Sequence, residues 1–288
     1  MALNVHAFCF LRFTQTKINA PMKKYVLFFT AGLSLAACTR VPITGRSQLT
    51  LLPESTMQSM ALQQYQSFLS ENKVVAQSTS RDAEMVRRVG QRIANAVTRY
   101  MTQNNMAAEI SSYKWEFNLV DSKEVNAWCM PGGKVVVYTG LLPVTQNETA
   151  LACVMGHEIA HAIARHGNER MSKGLVMQGI EVAGAVALNK NPTAVNLFNQ
   201  AFGVGGNLGM LAFSRANELE ADHLGVIFMA MAGYNPQEAI PFWQRMANMS
   251  NGQKPPEFLS THPSDATRVQ KLQQLMPEAM KYYTPGRS

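Results

Sequence analysis

Residues 147–166, NETALACVMGHEIAHAIARH, contain the pentapeptide HEIAH at residues 157–161 within a stretch of helical character. On a helix of 3.6 residues per turn, His157 and His161 lie on one face, so both imidazoles can bind a single metal ion. Glu158 then lies beside that ion. Zinc lowers the pKa of a bound water to about 7, and a neighbouring carboxylate can take the water's proton and deliver it to a leaving amine. The pattern therefore predicts metal-assisted hydrolysis of a peptide bond.

The residues around the pentapeptide favour this interpretation. Residues 150–156 contain no proline and are mainly apolar, and Gly156 lets another backbone approach closely. The alternative is a pair of surface histidines on an ordinary amphipathic helix. A catalytic zinc ion usually has three protein ligands and one open position, so a third ligand is expected elsewhere in the chain.

The metzincin pattern does not supply that third ligand, because Ala164 and Gly167 stand where it needs glycine and histidine. A polar segment with helical spacing, SRANELEADH at residues 214–223, is the better candidate. Glu218 and Asp222 are four residues apart and share one helix face. The pair suits one carboxylate on the metal and a second, Asp222, that accepts the free N–H of a ligand histidine. A charged, solvated helix face is the alternative for both residues.

Three further residues near these motifs are less suited to bind the metal. Glu220 points away from the face of the predicted ligand pair and is expected to be a solvated or structural carboxylate. His223 lies off that face, and His166 is five residues from His161. We expect His166 and His223 to form hydrogen bonds and not to bind the metal.

His262 lies in THPS, residues 261–264, where proline restricts the residue before it to extended conformations. The imidazole is therefore displayed on a stiff loop, before a helix expected to begin near Ser264 or Asp265. It can donate to the oxyanion of a tetrahedral intermediate, or take the open zinc position and hold the enzyme latent. A structural histidine is the third possibility, and the sequence leaves all three open.

Four ordered motifs resemble the HExxH gluzincin metallopeptidases typified by the CAAX prenyl protease, HtpX and BepA. They are HEIAH, SRANELEAD about 57 residues on, LSTHP followed by Arg268, and the upstream segment VNAWCMPGGKVVVYTG. The resemblance runs from about residue 80 to 277. It implies one zinc ion per chain, Glu158 as general base, Asp222 as a supporting residue and His262 in the active site. The implied zinc ligands are His157, His161 and Glu218.

Residues 125–138 have their own local signals of strand, turn and strand. A strand near the metal helix offers an edge to which an extended peptide can add through main-chain hydrogen bonds. The alternative is an internal hairpin that only buttresses that helix. Our candidates for substrate contact are Asn126 and Ala127 in this segment, together with Arg268.

The N-terminal residues predict export and lipidation. Residues 22–37 combine a basic start with a short apolar run, as in a secretory signal peptide. LAAC at residues 35–38 resembles a bacterial lipobox, in which Cys38 is lipidated and becomes the first mature residue. Thr39 is not the aspartate associated with inner-membrane retention, which favours the outer membrane. Residues 1–21 are expected to be an upstream extension, and an uncleaved anchor is the alternative to the signal.

Charge gives little reason to expect nucleic-acid binding. The formal net charge is +7, and setting aside the charged residues through Cys38, all of them basic, leaves 7 − 4 = +3. Those residues are Arg12, Lys17, Lys23 and Lys24.

Two cysteines lie outside the leader and the lipid site. An oxidising envelope permits Cys129 and Cys153 to pair, and Cys153 lies one helical turn before His157. A bridge between them and two buried free thiols both remain open.

The predicted fold is α+β and mainly helical, a zincin-like domain with a small sheet whose edge flanks the HExxH helix. Residues 38–53 form a linker and residues 54–288 a single domain, long enough for one sizeable core. Two apolar segments, 174–189 and 199–213, are too short to span a membrane and are expected beside the cleft or at a membrane surface. The predicted helices are 53–70, 81–103, 236–248 and 265–275, with a strand at 113–121.

The sequence therefore predicts a zinc endopeptidase of the bacterial cell envelope, held by a lipid at the periplasmic face of the outer membrane. Unfolded or misfolded envelope proteins are the expected substrates, and the oligomeric state is not indicated. The alternative is a non-catalytic zinc-binding chaperone or scaffold lipoprotein. Glu158 argues against it, because a pure binding protein has no need of that carboxylate.

Overall fold

The structure, a computed structural model, describes residues 38–177, 192–202, 213–249, 257–262 and 266–285 of the chain. The chain divides into two units, Met1–Cys38 and Thr39–Ser288. The predicted extension and signal peptide lie outside the described residues.

The described elements confirm a mainly helical α+β fold. In chain order they are β1 (Cys38–Arg40), β2 (Ser47–Leu49), α1 (Glu54–Glu71), α2 (Arg81–Gln103), α3 (Ala107–Ile110), β3 (Glu116–Val120), β4 (Ala127–Met130), β5 (Lys134–Tyr138), α4 (Leu142–Thr145), α5 (Glu148–Ile163), α6 (His166–Met177), α7 (Pro192–Phe202), α8 (Arg215–Met231), α9 (Ala239–Asn248), α10 (Glu257–Thr261) and α11 (Ala266–Ala279). Short 3-10 turns lie at Thr139–Leu141, Pro236–Glu238 and Met280–Tyr282.

A three-stranded sheet of order β3-β5-β4 lies beside the helix that carries HEIAH. β5 pairs parallel to β3 and antiparallel to β4. The β4–β5 turn contains Gly132 and Gly133 at φ of 80° and 83°, a conformation that favours glycine. The predicted strand, turn and strand are therefore present, and β4 is an edge strand of the described sheet.

The alternation of side chains along β5 places the sheet between two apolar clusters. Val135 and Val137 belong to the cluster that contains α2, α5 and α8, whereas Val136 and Tyr138 belong to the cluster that contains α1, α6 and α7. All of β5 is buried, as expected for a central strand covered on both faces.

The helix pair α5 and α8 lies within the larger cluster, and two glycines set its spacing. A Cβ at Gly156 would lie 2.8 Å from the carbonyl oxygen of Gly225, and a Cβ at Gly225 would lie 2.9 Å from the backbone nitrogen of His157. Neither position has room for a side chain. The close approach predicted from Gly156 is therefore present, and it brings the acidic residues of α8 against the histidines of α5.

Helix boundaries follow the predicted segments closely. The predicted helix at 81–103 coincides with α2, and the segment at 236–248 begins with a 3-10 turn before α9. The strand predicted at 113–121 is shorter, because only the residues of β3 pair with β5.

The two apolar segments are predicted to be too short to span a membrane and to lie beside the cleft or at a membrane surface. Among the described residues, no helix combines the length and apolar character needed to cross a membrane. Most of the segments 174–189 and 199–213 lies outside the described residues, so their place beside the cleft stays a prediction.

Candidate metal centre

The helix α5 begins and ends with defined signals that fix its register. The Asn147 side chain accepts a hydrogen bond from the Ala150 N–H at 2.8 Å, which caps the first turn. Beyond the helix, Arg165 adopts a left-handed conformation with φ of 56°, and α6 begins at the next residue. This turn folds α6 back so that His166 lies against His161.

Four buried side chains form one cluster that could hold a metal ion. Nε2 of His157 and Nε2 of His161 are 3.0 Å apart. Glu218 on α8 places Oε2 3.5 Å from the first of these nitrogens and Oε1 3.3 Å from the second. The fourth member is His262. The structure thus brings the sequence-predicted ligands together.

The geometry of the first three members fits a zinc ion. In a tetrahedral site with metal–ligand distances of about 2.0–2.1 Å, ligand atoms are separated by about 3.3 Å. The separations among His157, His161 and Glu218 bracket that value.

An oxygen of Glu218 also calls for a cation. Oε2 is buried and accepts no hydrogen bond from the described part of the chain. Nη1 of Arg268 lies 3.3 Å away but makes no hydrogen bond to it. A buried carboxylate oxygen needs a partner, and a metal ion between Glu218 and the two histidines would supply one.

His262 occupies the fourth corner of the cluster. Its Nδ1 lies 3.2 Å from Nε2 of His157 and 3.0 Å from Oε1 of Glu218. Its Nε2 lies 3.4 Å from Oε1 of Glu158. The imidazole thus stands between the other cluster members and the carboxylate predicted as general base.

The second ring nitrogen of His157 is held by a buried carboxylate. Nδ1–H of His157 donates to Asp222 Oδ1 at 2.9 Å, which leaves Nε2 to face the cluster. Arg268 donates to both oxygens of Asp222, at 2.6 and 2.8 Å, and its guanidinium carbon lies 3.2 Å from the ring centre of Trp243. Asp222 and Arg268 are both 3% exposed.

The second ring nitrogen of His161 is held by another histidine. Nδ1 of His161 and Nδ1 of His166 are 2.9 Å apart, and Nε2 of His166 lies 2.9 Å from Oε2 of Glu220. When Nε2 of His161 faces a metal, its Nδ1 carries the proton and donates to His166, whose Nε2–H donates to Glu220. Arg46 donates to the same oxygen of Glu220 at 2.7 Å. Glu220 is therefore a structural carboxylate.

Burial and neighbouring charges shift the pKa values of these groups in different directions. Burial alone lowers the pKa of His157, but the hydrogen bond to Asp222 and the negative charges of Glu218 and Asp222 raise it to about 9. Burial raises the pKa of Glu158. Burial also favours the neutral form of Glu218, yet the charge of His262 and hydrogen bonds from the histidines hold its pKa well below the usual range. The carboxylate on α8 is thus ionised and suited to a cation.

A cleft of about 440 Å³, including its mouth, opens beside the cluster. Glu158 and His262 line it, together with Asn126 and Ala127 at the start of β4. The structure thus places two of the three candidates for substrate contact, Asn126 and Ala127, at the cleft.

The outer edge of β4 faces no other described strand. Tyr138 N–H donates to the Asn126 carbonyl on the inner edge. Ladder alternation therefore turns the main-chain groups of Ala127 and Cys129 away from β5. The cleft thus adjoins a strand edge that pairs with no other strand among the described residues.

The predicted substrate contact of Arg268 needs correction. Arg268 does not line the cleft but lies behind His157, on Asp222. The sequence places Arg268 near the active-site histidine His262 but does not show which way α11 turns it. Its contacts are those of a positioning residue.

The structure decides between the two alternatives left open for the cysteines. Cys129 and Cys153 are free, buried thiols. Cys153 shares the α5 face of His157 and lies near Asp222, whereas Cys129 lies near Glu158 on the cleft side. The two thiols therefore lie against different faces of α5.

Arg170 and Phe213 also line the cleft, and the sequence pattern does not single them out. The guanidinium carbon of Arg170 lies 3.6 Å from the centre of the Phe213 ring. Phe213 in turn stacks on His161 with ring centres 4.0 Å apart. The helix break at Arg165 interrupts the spacing that starts from HEIAH, so periodicity cannot link Arg170 to the cluster.

A buried HExxH helix, a carboxylate from a second helix and an adjoining edge strand together define a zincin-like metallopeptidase fold. The chain matches Peptidase family M48 over residues 80–276, and it belongs to that family. The predicted gluzincin relationship is therefore confirmed.

Relatives of the chain come from mitochondria and from bacteria. The chain is 35% identical over 185 residues to the mitochondrial metalloendopeptidase OMA1 of Schizosaccharomyces pombe, covering 64% of this chain and 53% of that protein. It is 29% identical over 278 residues to the mitochondrial metalloendopeptidase OMA1 of Homo sapiens, covering 89% and 48%. It is 31% identical over 160 residues to the beta-barrel assembly-enhancing protease of Escherichia coli, covering 54% and 33%. The chain thus spans about half or less of these relatives' length.

Proposed function

We propose that this chain is a zinc-dependent endopeptidase with Glu158 as its general base. The proposed zinc ligands are His157, His161 and Glu218. The observation that carries the proposal is the set of three ligand residues with donor atoms 3.0–3.5 Å apart, with the buried Glu158 on the same helix as the histidines. The metalloendopeptidase names of the relatives agree with it.

The side chains divide the work of peptide hydrolysis among them. When bound, zinc supplies Lewis-acid polarisation of the scissile carbonyl and of a water molecule. Glu158 accepts a proton from that water and delivers it to the leaving amine. Burial raises the pKa of Glu158, which favours proton uptake in the first of these steps. Asp222 fixes the tautomer of His157, so that Nε2 presents its lone pair to the ion.

The edge of β4 is the proposed binding surface for the peptide backbone. Main-chain groups of Ala127 and Cys129 face away from β5, and both residues line the cleft with Glu158. The Asn126 side chain accepts the Ala127 N–H at 2.9 Å, so it is placed to exchange that bond with a peptide group. Recognition through the backbone tolerates many side chains, which suits unfolded substrates.

His262 acts in this proposal as a latent ligand. Its Nδ1 stands at the fourth corner of the cluster, the position that the hydrolytic water must take, and its Nε2 faces Glu158. Cleavage therefore requires the imidazole to leave this corner. Once displaced, a histidine at the cleft can donate to the oxyanion.

The proposed location is the bacterial cell envelope, with a lipid on Cys38 and misfolded envelope proteins as substrates. Support comes from the signal-like residues 22–37 and from similarity to the bacterial beta-barrel assembly-enhancing proteases. Labelling of cells with a fatty-acid probe should mark the chain, and Cys38→Ser should abolish the label. A labelled Cys38→Ser protein would contradict the lipid assignment.

The central test combines zinc content with cleavage of unfolded casein. We expect about one zinc per chain and a fall in cleavage of roughly 10²–10⁴-fold in Glu158→Gln. Glu124→Gln, the same change at an exposed carboxylate, is the matched control and should keep full activity. His262→Ala should raise cleavage if the latent role is right, and lower it if the imidazole only supports the oxyanion.

The same preparation tests the alternative function. Bound zinc without cleavage by wild type or by His262→Ala, combined with suppression of casein aggregation, would replace the peptidase with a zinc-binding chaperone. Absence of zinc would contradict both.

A further inference from the structure

Arg170 is a buried cation in the wall of the cleft, and the proposed mechanism gives it no task. It lines the cleft together with Glu158 and His161 and is 8% exposed. Buried arginine is uncommon, because removing its charge from water costs free energy. The carboxylates of Glu218 and Glu158 act on this charge. The position of Arg170 in the wall of the cleft is what bears on substrate binding.

The chain directs this arginine into the cleft by the turn after α5. Arg165 adopts φ of 56°, and α6 starts at the next residue. Gly167 and Arg170 then lie three residues apart on one face of α6, and both line the cleft. A Cβ at Gly167 would lie 2.0 Å from the Phe202 ring, so only glycine lets this ring close against α6.

Phe213 holds the guanidinium in a fixed plane near the cluster. The guanidinium carbon lies 3.6 Å from the Phe213 ring centre, and that ring stacks on His161 at 4.0 Å. The Phe213 ring thus links the guanidinium to a proposed zinc ligand. Burial lowers the pKa of Arg170 to about 9, while Glu218 and Glu158 oppose the shift, so the side chain is charged at neutral pH.

We infer that Arg170 selects substrates by binding a carboxylate of the peptide close to the cleaved bond. A guanidinium stacked on an aromatic ring keeps its N–H groups in one plane, and that fork matches the two oxygens of a carboxylate. Because Arg170 is buried, an ion pair with its guanidinium is stronger than one at a surface. Only the Phe213 ring separates the guanidinium from the proposed zinc ligand His161. Because an extended peptide advances about 3.3 Å per residue, we place the bound carboxylate within about three residues of the scissile bond.

This inference rests on the proposed peptidase function and names its substrate preference. The carboxylate can come from an internal Asp or Glu side chain or from the free C-terminus of a short peptide. In the first case the protein is an acid-selective endopeptidase. In the second it cleaves short peptides within about three residues of their C-terminus.

The test uses the full chain and amidated peptide pairs that differ only by Glu or Gln at one position within about three residues of the cleaved bond. A second pair without acidic residues has a free or an amidated C-terminus. For the preferred carboxylate source, the wild-type enzyme should cleave the peptide that carries the carboxylate with a kcat/KM about 10–100-fold higher than that for its neutral twin. This is the size expected for a charge-assisted contact. Arg170→Gln should abolish this ratio, and Arg170→Lys should keep part of it.

A structural role for Arg170 gives a different result. In that case Arg170→Gln would slow cleavage of both twins equally and leave their ratio unchanged, which would overturn the inference. Lys173→Gln is the matched control, because Lys173 lies on the same helix and its side chain is 52% exposed. The control should leave the ratio at its wild-type value.

Binding separates this inference from the proposed function. Fluorescence anisotropy of labelled twin peptides on Glu158→Gln should show a preference in Kd of about 10–100-fold, the size expected for the contact, without any cleavage. Equal Kd values for the twins would overturn the inference even if wild type is an active peptidase. A preference in Kd that Arg170→Gln abolishes would support the carboxylate site even if no peptide is cleaved.

Discussion

The two histidines of HEIAH have different partners on the side away from the cluster. His157 donates to Asp222, an anion held by Arg268, and both of these partners are 3% exposed. His161 instead contacts His166, and the other ring nitrogen of His166 contacts Glu220. The His157 side is thus a short, buried ion pair, whereas the His161 side is a longer series of hydrogen bonds.

The His161 side ends nearer the surface. Glu220 binds Arg46, whose side chain is 29% exposed and lies between β1 and β2. A carboxylate acceptor makes a ligand imidazole more electron-rich than a neutral acceptor does. We therefore expect His157 to dominate metal affinity, and His161 to couple the site to the segment that carries Arg46.

The largest effect is expected from Asp222→Ala. Loss of this carboxylate removes the acceptor that orients His157 and leaves the Arg268 charge buried without its bidentate partner. Zinc affinity should fall about 10–100-fold. The free energy of unfolding should fall by about 3–5 kcal/mol, as for a broken buried ion pair. Competition with a chelator measures the affinity, and urea unfolding of the metal-free chain measures stability.

A double variant separates the two roles of Asp222. Asp222→Leu with Arg268→Met replaces the pair by apolar side chains of similar size, so it should recover most of the stability. Zinc affinity should stay low, because His157 still lacks its acceptor. Recovery of wild-type zinc affinity in the double variant would show that Asp222 serves the fold and not the ligand.

Much of this site can be predicted from the sequence because its ligands lie on two helices. Spacings of four residues fix which side chains share a face, which suffices for His157 with His161 and for Glu218 with Asp222. The tight contact between those helices also has a local signal, in Gly156. Helix periodicity needs no knowledge of the rest of the fold.

Contacts that depend on how distant elements pack cannot be predicted in the same way. Arg268 is 46 residues from Asp222, and its role depends on the rotation of α11. Arg46 is 174 residues from Glu220 and belongs to a segment interpreted as a linker. The choice between a disulfide and two free thiols stays open in the sequence for the same reason, because packing sets which face of α5 is covered by β4.

His166→Phe, on the His161 side, is expected to cause an intermediate loss of zinc affinity. Phenylalanine fills similar space but cannot accept the His161 N–H, so zinc affinity should fall about 10-fold. His166→Gln keeps an acceptor and should lose less. His223→Phe is the control, since His223 binds Glu278 away from the cluster. An affinity loss as large as that of Asp222→Ala would remove the proposed difference between the two histidines.

The smallest effect is a pH dependence of stability on the His161 side. Burial alone raises the pKa of Glu220, but hydrogen bonds from His166, Thr44 and Arg46 outweigh it and lower the pKa to about 2. A carboxyl whose pKa is lower in the folded than in the unfolded chain stabilises the fold above about pH 4.5, and that contribution is lost as the pH falls towards 2.

Metal-free wild type should therefore lose about 1 kcal/mol more stability between about pH 6 and pH 3 than Glu220→Gln, a value reduced for the partial exposure of Arg46. Urea unfolding at the two pH values measures the difference, with Glu124→Gln as the exposed control. Equal losses in wild type and Glu220→Gln would mean that the ion pair with Arg46 is too solvated to matter. The His161 side would then end at His166 and Glu220, without coupling to the segment that carries Arg46.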